Sequence, residues 1–161
     1  MKTRHSELHR VGRRSAERGF SLIELLIVVA IILIISAIAI PNLMKAKMAA
    51  NESAAVSSIH AINTSEIAYS SAFPTIGYSV ALADLGPTGG GYIDGALASG
   101  TKSGYVFTYL QDTSTTPSLG YTLNVDPVNP GTSGQRHFYS DQNNVTHYDP
   151  SGPAGSGSPA L

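Results

Sequence analysis

Residues Leu25 to Ile40 read LLIVVAIILIISAIAI, and Ser36 is the only polar side chain among them. Together with Phe20–Glu24 they make 21 residues ahead of Pro41. As a helix that length spans about 30 Å, the thickness of a bilayer's hydrocarbon core. The β-branched content would suit a strand. The length and the lack of alternation instead predict a buried or membrane helix.

What precedes the run is arranged unlike an ordinary secretory signal. A secretory signal places its small-residue cleavage site after the apolar core. Here the small residue, Gly19, stands before it, directly after a basic leader. Residues 1–19 carry Lys2, Arg4, Arg10, Arg13, Arg14 and Arg18 against Glu7 and Glu17, a net +4. The remainder carries Lys45, Lys47, Lys102 and Arg136 against nine acids, a net −5. The positive leader predicts a cytoplasmic amino terminus and an outward carboxyl-terminal part. The acidic body argues against nucleic acid as the main partner, since phosphate binding needs a basic surface, and leaves room only for a local basic patch such as one near Lys45 and Lys47. Cutting after Gly19 would leave the apolar helix in the mature protein, whereas an uncleaved signal anchor has the same charge and hydropathy.

Glu24 separates the two. A carboxylate at mid-bilayer costs about 2.5–3.5 kcal/mol on insertion scales. Four residues into the helix it lies only about 6 Å from Phe20, within snorkelling reach of the interface. Cleavage gives it a sharper use, because a new amine at Phe20 stands one turn away. Within one helix that pair has poor reach. Between staggered neighbouring helices it would neutralise both charges at low dielectric and set the stagger.

Arg18-Gly19-Phe20-Ser21-Leu22-Ile23-Glu24 resembles the prepilin motif of type IV pilins and of type II secretion pseudopilins. The resemblance implies a membrane aspartyl peptidase that cuts after Gly19 and methylates the amine of Phe20. It also implies that Glu24 is the assembly carboxylate, and that Pro41 matches the proline 22 residues into the family's mature helix. The implied product is a subunit of a pilus-like filament at the cell surface or in the periplasm, drawn from the inner membrane. Its implied partners are copies of itself, related minor pilins, the prepilin peptidase, an inner-membrane assembly platform and the bilayer. A secretion pseudopilin shares every one of these motifs. A single-pass anchored binding protein that never polymerises is the reading of another class.

Beyond Pro41 a helical pattern continues. Ala46, Ala49, Ala50, Ala54 and Ala55 favour helix, and Val56, Ile59 and Ile62 form an apolar stripe, with Glu52, His60, Asn63 and Glu66 read as lying off it. Phe73-Pro74 ends the run, so one helix of roughly 80 Å is predicted over 20–73. Pro41 removes one helical hydrogen bond and crowds the carbonyl of Ala37, which predicts a hinge between the two halves.

Residues 74–103 are rich in glycine, serine and alanine and read as a loop, with a helical turn at Ala81–Leu85. The Gly95-to-Ser103 stretch mimics a phosphate loop, but Thr101 intervenes between the second glycine and Lys102, so a surface loop is predicted. Four β-branched and aromatic runs follow, at 105–110, 121–125, 136–139 and 145–148. Ser140–Asn144 reads as a hairpin turn. The stretches around Lys102–Phe107, Asp126–Gly131 and Gly134–Gln142 are similar to the carboxyl-terminal half of a widespread group of bacterial pilin-like proteins. The predicted fold class is therefore α+β: a leader over 1–19, a transmembrane or filament-core helix over 20–41, an amphipathic helix over 42–73, a loop and antiparallel-sheet head over 74–149, and a flexible tail over 150–161.

No catalytic cluster emerges. The chain has no cysteine, which removes disulfides, thiolate metal sites and thiol chemistry. If Ser140 pairs with Val145, Phe138 lies opposite His147 and His137 points to the other face, which disfavours a two-histidine metal site. Asp141, Asn143 and Asp149 carry oxygens suited to calcium, but their spacing is not that of an EF-hand, and such residues serve mostly as turn formers. No serine stands in a nucleophile-elbow pattern. The reading is a structural protein with neither cofactor nor metal.

Overall fold

A computed structural model describes residues 19–161. The leader predicted over 1–19 therefore lies, apart from Gly19, outside the described residues. The elements are α1 (Leu22–Ala72), α2 (Leu82–Leu85), α3 (Gly95–Ala98), β1 (Thr101–Lys102), β2 (Tyr105–Gln111), β3 (Tyr121–Pro127), β4 (His137–Asp141) and β5 (His147–Asp149). The fold is α+β, a long amino-terminal helix followed by a five-stranded sheet in the order β1-β2-β3-β4-β5, antiparallel throughout. The chain divides into two units between Ala39 and Ile40.

In the first unit, α1 begins at Leu22 and exposes its apolar side chains along its whole length there. In the second unit α1 runs on to Ala72 and meets the sheet. Its end follows from the sequence: Phe73 N–H still bonds to the Tyr69 carbonyl at 2.8 Å, and Pro74 can continue no further.

The buried face of this half centres on Glu52, Ala55, Ile59, Ile62, Glu66 and Tyr69, a strict alternation of three- and four-residue steps, with Ser58, Asn63 and Ser65 buried beside it. That is the period of a helix packed on one side. The expectation that Glu52, Asn63 and Glu66 lie off the stripe is therefore corrected. All three are buried, Glu52 and Glu66 on the stripe and Asn63 beside it, Glu66 completely. Val56 is only half-buried, and His60 is exposed. The period, not the polarity of each residue, decides the face.

The sheet supplies the opposing wall. Tyr105, Phe107, Tyr121, Leu123, Val125 and Phe138 point inward and form one core with the helix stripe and with Leu82, Leu85, Ile93 and Leu97. Such burial is worth about 1.5–3 kcal/mol per large side chain. The alternation in β3 and β4 is regular, which fixes the register, since a slip by one would turn every buried residue outward.

Two details were not foreseen. Ser103 and Gly104 both have positive φ, 50° and 75°, the requirement of a tight two-residue hairpin turn, so β1 folds back onto β2. The segment 150–161, expected as a flexible tail, returns along β5: Tyr148 N–H bonds to the Pro159 carbonyl and Leu161 N–H to the Thr146 carbonyl, both at 2.9 Å. Ala160 bridges His147, and Ala154 is buried. Its backbone occupies the edge that β5 would otherwise leave unpaired.

Candidate functional site

The amino-terminal junction is one candidate site. Ser21 stands just ahead of Leu22, the first helical residue, and its N–H donates to Glu24 Oε2 at 2.9 Å. This is one half of a capping box, in which the third helical residue reaches back to an amide left without an intrahelical acceptor. The signal for it in the sequence is Ser-x-x-Glu at 21–24. Glu24 Oε2 is thus engaged locally. Phe20, 88% exposed, precedes it.

Around this junction the helix offers a continuous apolar surface. Leu22, Ile23, Leu25, Leu26 and the aliphatics through Ile40 are exposed, and α1 contains a stretch long and apolar enough to cross a membrane. A surface of this extent marks a place for lipid or another chain. Pro41 lies inside α1, which is helical on both sides of it. Lacking an N–H, Pro41 leaves the carbonyl of Ala37 without its helical partner.

A different arrangement holds the second half of α1 to the sheet. Glu52 Oε1 accepts from the Gln135 and Arg136 amides at 2.8 and 3.2 Å, and its Oε2 accepts from Arg136 Nε at 2.7 Å. The Arg136 guanidinium also lies over the rings of Phe138 and Tyr148. Burial pushes the Glu52 carboxyl up, but these donors outweigh it and hold the group below the usual carboxylate range. Asn63 donates to Ser140 Oγ and accepts from the Tyr121 hydroxyl, each at 2.9 Å. Glu66 accepts from Ser79 N–H at 3.0 Å and from Ser79 Oγ–H at 2.5 Å. Burial raises its carboxyl above the ordinary value; no cation among the described residues faces it, and the Ser79 and Tyr109 donors offset the burial only in part.

The outer face of the sheet carries the remaining candidates. The register expected for the β4–β5 hairpin is corrected by one residue: Phe138 pairs with Tyr148 and Tyr139 with His147. The reason is burial, because Thr146 is buried and Tyr148 packs against the core, which sends His147 outward. His137 and His147 consequently share a face, contrary to expectation. Each is engaged separately, His137 Nδ1 with Asp126 Oδ1 and His147 Nδ1 with the Ser158 carbonyl, both at 2.6 Å. Asp141 Oδ1 accepts from Asn143 N–H and Asp149 Oδ1 from Ser151 N–H, so both carboxylates close turns. Among the described residues no three of His, Asp and Glu converge as metal ligands. The phosphate-loop mimic over Gly95–Ser103 begins as the helical turn α3, capped by Asp94, and ends on β1, where Lys102 pairs with the other oxygen of Asp94 at 2.6 Å.

Residues 14–40 match the prokaryotic N-terminal methylation motif, the signature of type IV pilins and pseudopilins. No curated protein and no solved structure matches the chain significantly.

Proposed function

We propose, from the methylation motif and the junction that carries it, that this chain is a prepilin, the membrane-held precursor of a subunit of a type IV pilus-like filament. The observation that carries the reading is the coincidence of three features within a few residues: Gly19 at the end of a basic leader, the start of α1 at Leu22, and Glu24 facing an otherwise apolar surface. Hydrolysis of the Gly19–Phe20 peptide bond frees the amine of Phe20, which the peptidase then methylates. The leader stays in the cytoplasm, and the chain remains anchored in a single pass by its apolar helix until assembly.

Assembly exchanges lipid around that helix for the helices of other copies. Glu24 then loses access to water, and a carboxylate so placed needs a counter-charge. The amine of Phe20 on a neighbouring copy supplies it. One carboxylate oxygen stays on Ser21 N–H, fixing the side chain's direction, while the other accepts the amine. Pro41 serves as the hinge, because the missing hydrogen bond lowers the cost of bending there. The role is structural rather than enzymatic.

Replacing Glu24 with Leu tests this directly. The variant is expected to be cleaved and methylated at Phe20 and to stay in the membrane, but to yield no filaments in sheared-fibre preparations. Normal filament yield would sink the assigned role. Recovery of the bulk protein with an intact leader would defeat the prepilin reading itself.

A further inference from the structure

Lys45 and Lys47 are the cations for which the described residues offer no ion pair; the other two, Lys102 and Arg136, are paired with Asp94 and Glu52. They sit in a stretch of α1, Pro41–Lys47, in which every residue is exposed and in which Leu43 and Met44 are apolar. No acid occurs between Glu24 and Glu52, so nothing local balances them. Five and seven residues beyond Ile40, they stand about 7.5 and 10.5 Å further along the helix axis than the last residue of the apolar run.

The angular placement narrows the partner. Two residues apart on a helix, the lysines point about 160° away from each other. A protein surface docked on one side of α1 would meet one of them and miss the other. A layer of headgroups through which the helix passes upright meets both. Leu43 and Met44, just below them, suit the boundary between acyl chains and headgroups, and the lysine stems can lie along that boundary with their ammonium groups in the phosphate layer.

We propose that Lys45 and Lys47 form a collar that binds the phosphates of anionic phospholipids in the leaflet opposite the leader, holding the unassembled subunit at a set depth. This rests on the membrane-anchored reading given above. Each lysine near an anionic surface contributes about fivefold in local lipid preference, or about 1 kcal/mol.

The chain lacks cysteine, so a single Asn42→Cys in the full chain takes one fluorophore at the collar's depth. The protein is placed in phosphatidylcholine vesicles containing a small equal fraction of nitroxide-labelled phosphatidylglycerol or nitroxide-labelled phosphatidylcholine, the nitroxide near the headgroup. Under the single-pass reading the basic leader is on the other side of the bilayer from the label, so its charges do not contribute to this readout. Quenching by the phosphatidylglycerol probe should exceed that by the phosphatidylcholine probe about twofold or more, and the excess should vanish at high salt. In Lys45→Gln/Lys47→Gln the two probes should quench equally. Equal quenching in the parent protein, or an excess that survives the double substitution, overturns the collar. Absence of quenching by either probe overturns the membrane-anchored reading as well.

Discussion

The two halves of α1 treat carboxylates in opposite ways. Among the described residues of the first unit Glu24 is the only ionisable side chain, set on an exposed apolar surface, and the partner it has there is the Ser21 amide a turn below. In the second unit Glu52 and Glu66 are inside, the first at the start and the second near the end of the stripe that packs on the sheet. Glu52 has a cation and two backbone amides, while Glu66 is held chiefly by the amide and hydroxyl of Ser79. One helix thus shows an exposed carboxylate held by a single local amide, one fully partnered, and one buried with hydrogen bonds but, among the described residues, no counter-charge. A buried charge is tolerated where donors converge on it and shifts toward its neutral form where they do not.

The largest effect should come from Glu24→Gln. Glutamine keeps an oxygen for the Ser21 amide and removes the charge. If charge neutralisation governs assembly, filament yield falls at least about tenfold, as in the leucine variant, because the Phe20 amine of the neighbour is left unpaired in a low-dielectric bundle. Near-normal yield would show instead that the capping hydrogen bond is what Glu24 supplies.

Glu52→Ala comes next. It strips two backbone amides and Arg136 of their acceptor, and should destabilise the sheet-bearing unit by about 2–3 kcal/mol, less than a fully buried pair because Arg136 is partly exposed. Denaturant unfolding of the full chain in detergent measures it. Since the folded Glu52 carboxyl is held below its ordinary value, its contribution is present above the ordinary carboxylate range and is lost as pH falls through the folded pKa. The alanine variant should lack that acid-side loss.

Glu66→Gln should have the smallest effect and the opposite sign. The folded carboxyl is raised, so the native state binds the extra proton, and stability declines as pH rises from the ordinary glutamate value through the raised folded one. Glutamine keeps an acceptor for the Ser79 amide and a donor for its hydroxyl, and cannot ionise. The variant should match the parent in acid and exceed it at neutral pH by on the order of 1 kcal/mol. Melting temperatures of both proteins across that pH range decide the matter; a parent curve that rises through the window would contradict the assignment.

Much of this was legible before any coordinates. Helix α1 was predicted over 20–73 and spans Leu22–Ala72. The four predicted strands coincide with β2 to β5 to within a few residues. The junction at Gly19–Glu24 was evident because its signal is a run of adjacent letters. The Ser21–Glu24 contact is equally local, and the spacing Ser-x-x-Glu is its signal. β1 was hidden by its length of two residues, although Ser103-Gly104 marks its turn. The tail escaped because 150–161 is rich in glycine, proline and serine, and its order comes from β5's open edge rather than from its own composition.

By itself the sequence determined the apolar run, the charge step across Gly19, the helix and its end at Pro74, and the alternating strands, because each depends on neighbours within a turn or on a short period. Tertiary structure alone decided which polar residues of α1 go inside, how β4 meets β5, and where the tail lies. Glu52 finds its partners 83 and 84 residues away, and Asn63 its serine 77 residues away. A buried polar group is stabilised only by donors brought to it from distant parts of the chain. Its place in the fold is therefore settled when the sheet closes over the helix, and a local pattern of letters contains only the period that permits it.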